Sequence, residues 1–299
     1  MLTRDRMTRA TGRPSTPSSG TRQSPVFAVV RPIVAVRKGV AAVGTDLVAT
    51  EQPLTLFIND RELFTILCSP GHIEELVLGH LFSEGLVGSA AAIANMVHDT
   101  ARGQVFVRLR DDSPFDWEAF SRCRTISSGC ARGMTLHRRW EEAGIAPVTA
   151  PFDIKFAGLV DLMSRFLQMS EHHHETGCIH IAALTDGETL RVFREDIGRH
   201  NAIDKVVGAA LAQRIPIGQC ALMVSGRISS EMILKGARLG VPLVATRAAV
   251  TDMAVRIATL AGITLAGFVR AQRINIYAHP WRIADAAECE DDLGEDDAD

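Results

Sequence analysis

Only six cysteines are spread over 299 residues, and no two of them make a C-x-x-C pair. Neither a disulfide framework nor a paired-cysteine zinc knuckle is written into such a chain. Aromatic residues make up 5%, with one Tyr and three Trp, too few for a base-stacking platform on single-stranded nucleic acid. No apolar run reaches the roughly 18–20 residues of a membrane-spanning helix. The first thirty residues lack the apolar stretch of a secretory signal, so reduced thiols and a cytoplasmic location are expected.

What is present is a globular composition, 46% hydrophobic and 22% charged, with a net charge of −3. The charge is uneven. Residues 1–30 hold five Arg against one Asp, and residues 285–299 hold nine acids and no base. The body between them is near neutral, which argues against nucleic-acid binding. Both ends are expected to be disordered tails, the N-terminal one rich in Ser, Thr, Pro and Gly.

Residues 31–150 are expected to form a smaller α+β domain. Pro53–Asn59 alternates like a half-buried strand, Asn59-Asp60 makes a turn, and Leu63–Leu67 returns as a strand. His72–Glu84 places Leu76, Val77, His80 and Leu81 on one helical face, with Gly85 to end the helix. Val105–Leu109 is a further strand. The run Cys123–Met134 has no period of either kind and is a loop carrying Cys123 and Cys130.

Residues 151–284 are expected to form an α/β domain. Strands at Ile179–Thr185 and Leu190–Phe193, joined by Asp186-Gly187, precede a helix marked by Ala202, Ile203, Val206, Val207 and Ala210. A strand at Ala221–Val224, a helix to about Leu239, a strand at Val241–Ala245, a helix over Asp252–Leu260 and a strand at Ile263–Phe268 follow. This alternation predicts a parallel sheet with helices over its faces.

Ligand sites in parallel sheets lie at the C-terminal strand ends. Those ends carry Ser225-Gly226-Arg227, Thr246-Arg247 and Arg270-Ala271-Gln272-Arg273, an arginine-rich set suited to phosphate. The segment Arg194–Lys205 packs six ionisable or amide side chains, Glu195 to Asp204, at the start of a helix. It serves either as a cap with an ion-pair network or as a ligand-orienting site. Cys130, between Gly129 and Ala131 and near Arg124 and Arg132, has the profile of a reachable, low-pKa thiol: a sulfur carrier or nucleophile. Cys178, two residues before His180, is either a second thiol or a small buried hydrophobe. His172-His173-His174 points in three directions on a helix end, and His72-Ile73-Glu74 lacks the P-C-x-x-C half of a zinc deaminase signature, so no metal site is expected.

Five stretches then carry a resemblance. Glu195–Lys205 (EDIGRHNAIDK) resembles the EDxGRHNAxDK block of the FdhD family, the formate dehydrogenase accessory sulfurtransferases. Thr176–Leu184, Ser225–Met232, Phe268–Ile283 and Pro53–Gly85 are similar to four further family blocks, in order, over roughly residues 34–283. The resemblance implies a persulfide sulfurtransferase that takes sulfur from a cysteine desulfurase and passes it to the molybdenum cofactor, in its bis(molybdopterin guanine dinucleotide) form, to activate formate dehydrogenase. It implies a homodimer and a C-terminal domain that resembles the three-layer cytidine deaminase fold without its zinc. Cys130 matches the first cysteine of the family's C-x-x-C loop; Gly133 stands where the second would be. The family's cofactor-binding stretch carries over to Phe268, Val269, Arg270, Ala271, Gln272 and Arg273. Two alternatives stand beside this reading. One is a non-covalent cofactor chaperone, motivated by Gly133. The other is a cysteine hydrolase pairing Cys130 with His180 or His200, against which the glycine-flanked loop argues.

Overall fold

Leu54, Leu56 and Ile58 are buried while Thr55 and Phe57 between them are only partly so, and this period of two builds a strand. The computed structural model describes residues 26–111, 115, 117, 125–126, 132–133 and 146–289, with side chains to 286 in the last segment. The strand in question is β3 (Gln52–Ile58). It turns through Asn59 and Asp60, both at positive φ (47° and 65°), into β4 (Arg61–Cys68). Such a pair of left-handed residues matches the twist of a tight hairpin. With β5 (Ile93–Asp99) and β6 (Gln104–Leu109) these strands form a sheet of order β4-β3-β6-β5, with β3 parallel to β6. Helix α1 (Ile73–Ser83) covers one face through Leu76, Val77 and Leu81, and Gly85 (φ 72°) follows its end.

Two strands precede this sheet. β1 (Ala28–Arg37) and β2 (Val40–Ala49) pair as a separate antiparallel ribbon, turning at Lys38 and Gly39. The tail expected over residues 1–30 ends sooner, because β1 starts at Ala28. A short ribbon of β7 (Thr125–Ile126) and β8 (Arg132–Gly133) brackets residues 127–131. Cys130, Cys123 and Arg124 lie outside the described residues.

The larger sheet contains β9 (His180–Thr185), β10 (Leu190–Asp196), β11 (Ala221–Val224), β12 (Leu243–Thr246), β13 (Thr264–Arg270) and β14 (Arg273–Ala278), in the order β10-β9-β11-β12-β13-β14. Only β11, β12 and β13 are mutually parallel. The parallel set implied by the strand–helix alternation is therefore present as β11, β12 and β13, while the sheet as a whole is mixed: β9 and β10 form a hairpin through Asp186-Gly187, and β14 folds back on β13. Both faces are dry. Ala182, Leu184, Leu222, Val224, Val244 and Leu265 pack under α4 (Arg199–Ala212), α5 (Ser230–Leu239) and α6 (Asp252–Ala261). The alternate residues Ile181, Ala183, Met223, Leu243 and Ala266 meet α2 (Phe156–Gln168) on the other face. This is a mixed α/β architecture. A short helix α3 (Glu171–Thr176) precedes β9, and a 3-10 helix at Ala284–Cys289 extends past residue 285, where a disordered tail was expected to begin. There Asp285 Oδ2 accepts from the Phe156 N–H at the start of α2, 2.6 Å away.

The smaller sheet is attached by its helix. A Cβ on Gly79 of α1 would stand 1.7 Å from the Asp204 carbonyl oxygen, and one on Gly208 of α4 would stand 1.9 Å from the Glu75 carbonyl oxygen. The two backbones touch, and only glycine permits it. Among the described residues no helix is long and apolar enough to cross a membrane.

Candidate functional site

The three parallel strands end on one edge of the larger sheet, and the antiparallel β9 begins there. Val224 pairs with Ala182 and Thr246, so Ser225, Arg247 and His180 are brought to the same edge. Thr246 Oγ1 donates to the Gly226 carbonyl (2.7 Å), and the Phe268 N–H donates to the Ala248 carbonyl (3.0 Å). A Cβ on Gly226 would lie 3.1 Å from His180 Nδ1 and 3.5 Å from Arg199 Cβ. Loop 225–227, His180 and the first residue of α4 thus crowd one spot. Sequence reading did not anticipate this meeting, because it joins three motifs up to 47 residues apart.

The edge is cationic. Arg227, Arg247, Arg270 and Arg273 are exposed, and among the described residues neither they nor Arg199 pairs with a carboxylate. The Nε of Arg199 and the Oγ of Ser229 are buried with no hydrogen-bond partner among the described residues. Burial lowers the pKa of His180, and Arg199 beside it lowers it further. Buried donors without acceptors are rare and costly.

The strand end Phe268–Arg273 has a sharply divided role. Phe268 takes positive φ (51°) at a break in the β13–β14 register, and its ring lies under the Arg273 guanidinium at 4.7 Å. Arg270, Ala271, Gln272 and Arg273 reach solvent, whereas the Val269 side chain is buried in the core and offers a ligand only its backbone.

Most of the Arg194–Lys205 block is consumed by structure. Asp196 Oδ2 lies 2.7 Å from Lys205 Nζ and also accepts from the Ser69 N–H, while Oδ1 accepts from Gly198 N–H and Asn201 Nδ2. Lys205 Nζ donates to the Ser69 carbonyl. Arg194 grips Glu75 of α1 with two hydrogen bonds; although burial raises the Glu75 pKa, these bonds draw it down to about 2. Asp204 accepts from Ser83 Oγ and Lys235 Nζ and faces His80 Nδ1 at 2.9 Å. Of the two open readings, the ion-pair network accounts for Asp196, Asn201, Asp204 and Lys205, and Arg199 is left facing the arginine edge. His200 is 3.3 Å from Glu231; burial and Lys235 push its pKa down to about 4.

Cys68 is buried, which with Asp196 nearby pushes its thiol up to about 12, and Cys220 is buried as well. Cys178 is exposed. His172 stacks on Phe27 and His173 Nδ1 contacts the Ile179 carbonyl, whereas the His173 and His174 rings meet edge to face with centroids 5.6 Å apart, so of the three imidazoles only the last two are neighbours. Glu74 pairs with His98 on the surface of α1. Among the described residues no three His, Cys, Asp or Glu side chains converge as a metal would require. A cavity of about 420 Å³ lined by Phe152, Trp281 and Arg282 lies toward the opposite end of β13, where Arg282 donates to the Gly262 carbonyl.

Comparison with known proteins covers nearly the whole described chain. A sulfur carrier protein FdhD from Staphylococcus aureus strain MRSA252 is 36% identical over 258 residues, 86% of this chain and 97% of its own length. Its counterpart in strain JH9 shows the same identity and coverage. The crystal structure of a protein from Desulfotalea psychrophila, described as a formate dehydrogenase accessory protein, superimposes with a TM-score of 0.71 at 28% identity, covering 86% of this chain and all of that one. The profile of the FdhD/NarQ family matches residues 49–284, and this chain belongs to that family.

Proposed function

We propose that this chain is a cytoplasmic sulfur carrier of the formate dehydrogenase accessory type, with Cys130 as the carrier and the arginine edge as the seat of the acceptor. The Cys130 thiolate attacks the terminal sulfur of a persulfide on a cysteine desulfurase. A new S–S bond forms at Cys130, the donor's S–S bond breaks, and the desulfurase thiolate leaves. The acceptor is the molybdenum cofactor in its bis(molybdopterin guanine dinucleotide) form, and delivery there activates formate dehydrogenase. Release of the carried sulfur as sulfide takes two electrons from a thiol reductant and restores the Cys130 thiol. Arg199, Arg227, Arg247, Arg270 and Arg273 hold the acceptor's phosphates, with Phe268 fixing the turn.

The observation that carries the acceptor side is the pair of unpartnered buried donors, Arg199 Nε and Ser229 Oγ, beside the exposed arginines. A ligand carrying several phosphates fits that set. The order of the larger sheet and the helices on both of its faces support a cytidine deaminase-like ancestry for this domain. The division into domains at residues 31–150 and 151–284 is supported by the separate core under α1. Two copies form the working unit.

Gly133 keeps a second reading in play: a chaperone that binds and delivers the cofactor without covalent sulfur chemistry. Activation of formate dehydrogenase by Cys130→Ala separates the two. The sulfur-carrier reading predicts that activation is lost while the fold stays intact; full activation by that variant establishes the chaperone.

A further inference from the structure

The β1–β2 ribbon turns its valines outward. Its register runs from Ala28 opposite Ala49 to Arg37 opposite Val40, so Val30, Val34 and Val36 share one face with Val43 and Leu47. No charged residue falls on that face; Arg31, Asp46 and Arg37 all lie on the other. Val34 and Val43 stand directly opposite each other, 67% and 86% exposed. A two-stranded ribbon is marginal in water by itself, and a contiguous apolar patch of this kind marks an interaction surface.

Among the described residues, a second apolar surface lies open on the same chain. Helix α1 covers only one face of the β4-β3-β6-β5 sheet. On the other face Phe57 and Phe106 stack with centroids 4.8 Å apart, and Val97, paired with Phe106, is 51% exposed. The ion pairs Arg108–Asp60 and Arg102–Asp99 border this row.

We propose that the ribbon is a dimerisation arm whose Val34/Val43 face lies on the Phe57/Phe106/Val97 face of a second copy of this chain. This rests on the homodimer reading above and assigns its contact surface. A two-fold axis uses each surface once per copy and makes the contact twice. Ten-residue strands of ~3.4 Å per residue in a ribbon ~10 Å wide give about 350 Å² per face, so two such contacts bury on the order of 1,400 Å² in all, the size of a stable interface. Arms that met only each other would bury about half of that, the level of incidental packing.

The test is the solution mass of the full chain by light scattering or sedimentation at micromolar concentration. The wild type is expected at twice the chain mass. Val34→Lys with Val43→Glu keeps a favourable cross-strand pair in the ribbon but polarises its face, and is expected to give a monomer with unchanged far-ultraviolet circular dichroism. Val97→Glu, on the other surface, is expected to give a monomer as well. Ala35→Lys with Ala42→Glu, on the ribbon's opposite face, is expected to stay dimeric. A monomeric wild type overturns both the dimer and the arm. A wild-type dimer that survives either Val34→Lys with Val43→Glu or Val97→Glu overturns the arm alone.

Discussion

Asp196 and Lys205 form an ion pair at 2.7 Å with neither side chain reaching solvent, nine residues apart in the motif that best marks this chain. Through Ser69 the pair also ties the end of β4 to the larger sheet. Substitutions here act first on folding. Asp196→Asn strands a buried ammonium and is expected to cost about 3–5 kcal/mol. The urea unfolding midpoint reads this directly, and an unchanged midpoint contradicts it.

Gly79→Ala forces a methyl group into the Asp204 carbonyl across the α1–α4 contact. The helices must separate, so a loss of about 3 kcal/mol or more is expected. Gly88→Ala, with nothing within 4 Å of its added carbon, is the control and is expected to leave the melting temperature nearly unchanged. Equal melting temperatures for the two variants would refute the close approach.

Stability should fall on acidification in two stages. His200 has its pKa lowered by burial and Lys235 to about 4 from an ordinary 6.5. The unfolded chain takes up that proton first, so the contribution is intact above pH 6.5 and drains away as pH falls toward 4. The loss is on the order of 3 kcal/mol. Glu75 works in the same direction lower down, from its ordinary 4.5 to about 2. His200→Gln is expected to flatten the upper stage and spare the lower one; an unaltered slope between pH 6.5 and 4 speaks against this assignment.

The arginine edge should bind guanosine diphosphate, the nucleotide half of the expected acceptor. Arg199→Ala or Arg270→Ala is expected to raise Kd by about 10- to 100-fold, the worth of one charged hydrogen bond, with little change in melting temperature. Calorimetric titration measures it. Unchanged binding in both variants removes the edge from the acceptor site.

Much of this was legible in the chain. Ala221–Val224 matches β11 residue for residue and Asp252–Leu260 differs from α6 by one, because both carry the full period of a buried element. The β1–β2 ribbon carries no such signal: alternation marks a strand with one buried face, and among the described residues no member of the buried core comes from β1 or β2. β14 shows only a faint signal, since its core-facing residues Ile274 and Ile276 are just partly buried and make a single step of alternation. For the site, the arginines at strand ends were visible once parallel strands were inferred. The approach of His180 and Arg199 to Gly226 was not, since it depends on β9 running antiparallel to β11.

Sulfur carriage by Cys130 is read out by peptide mass spectrometry after incubation with an active cysteine desulfurase and cysteine. A reductant-sensitive gain of one sulfur atom on the Cys130 peptide is predicted, with none on the peptides of buried Cys68 and Cys220. No gain at Cys130, with the desulfurase shown to turn over, contradicts the account, and a gain at the exposed Cys178 alone would move the carrier there.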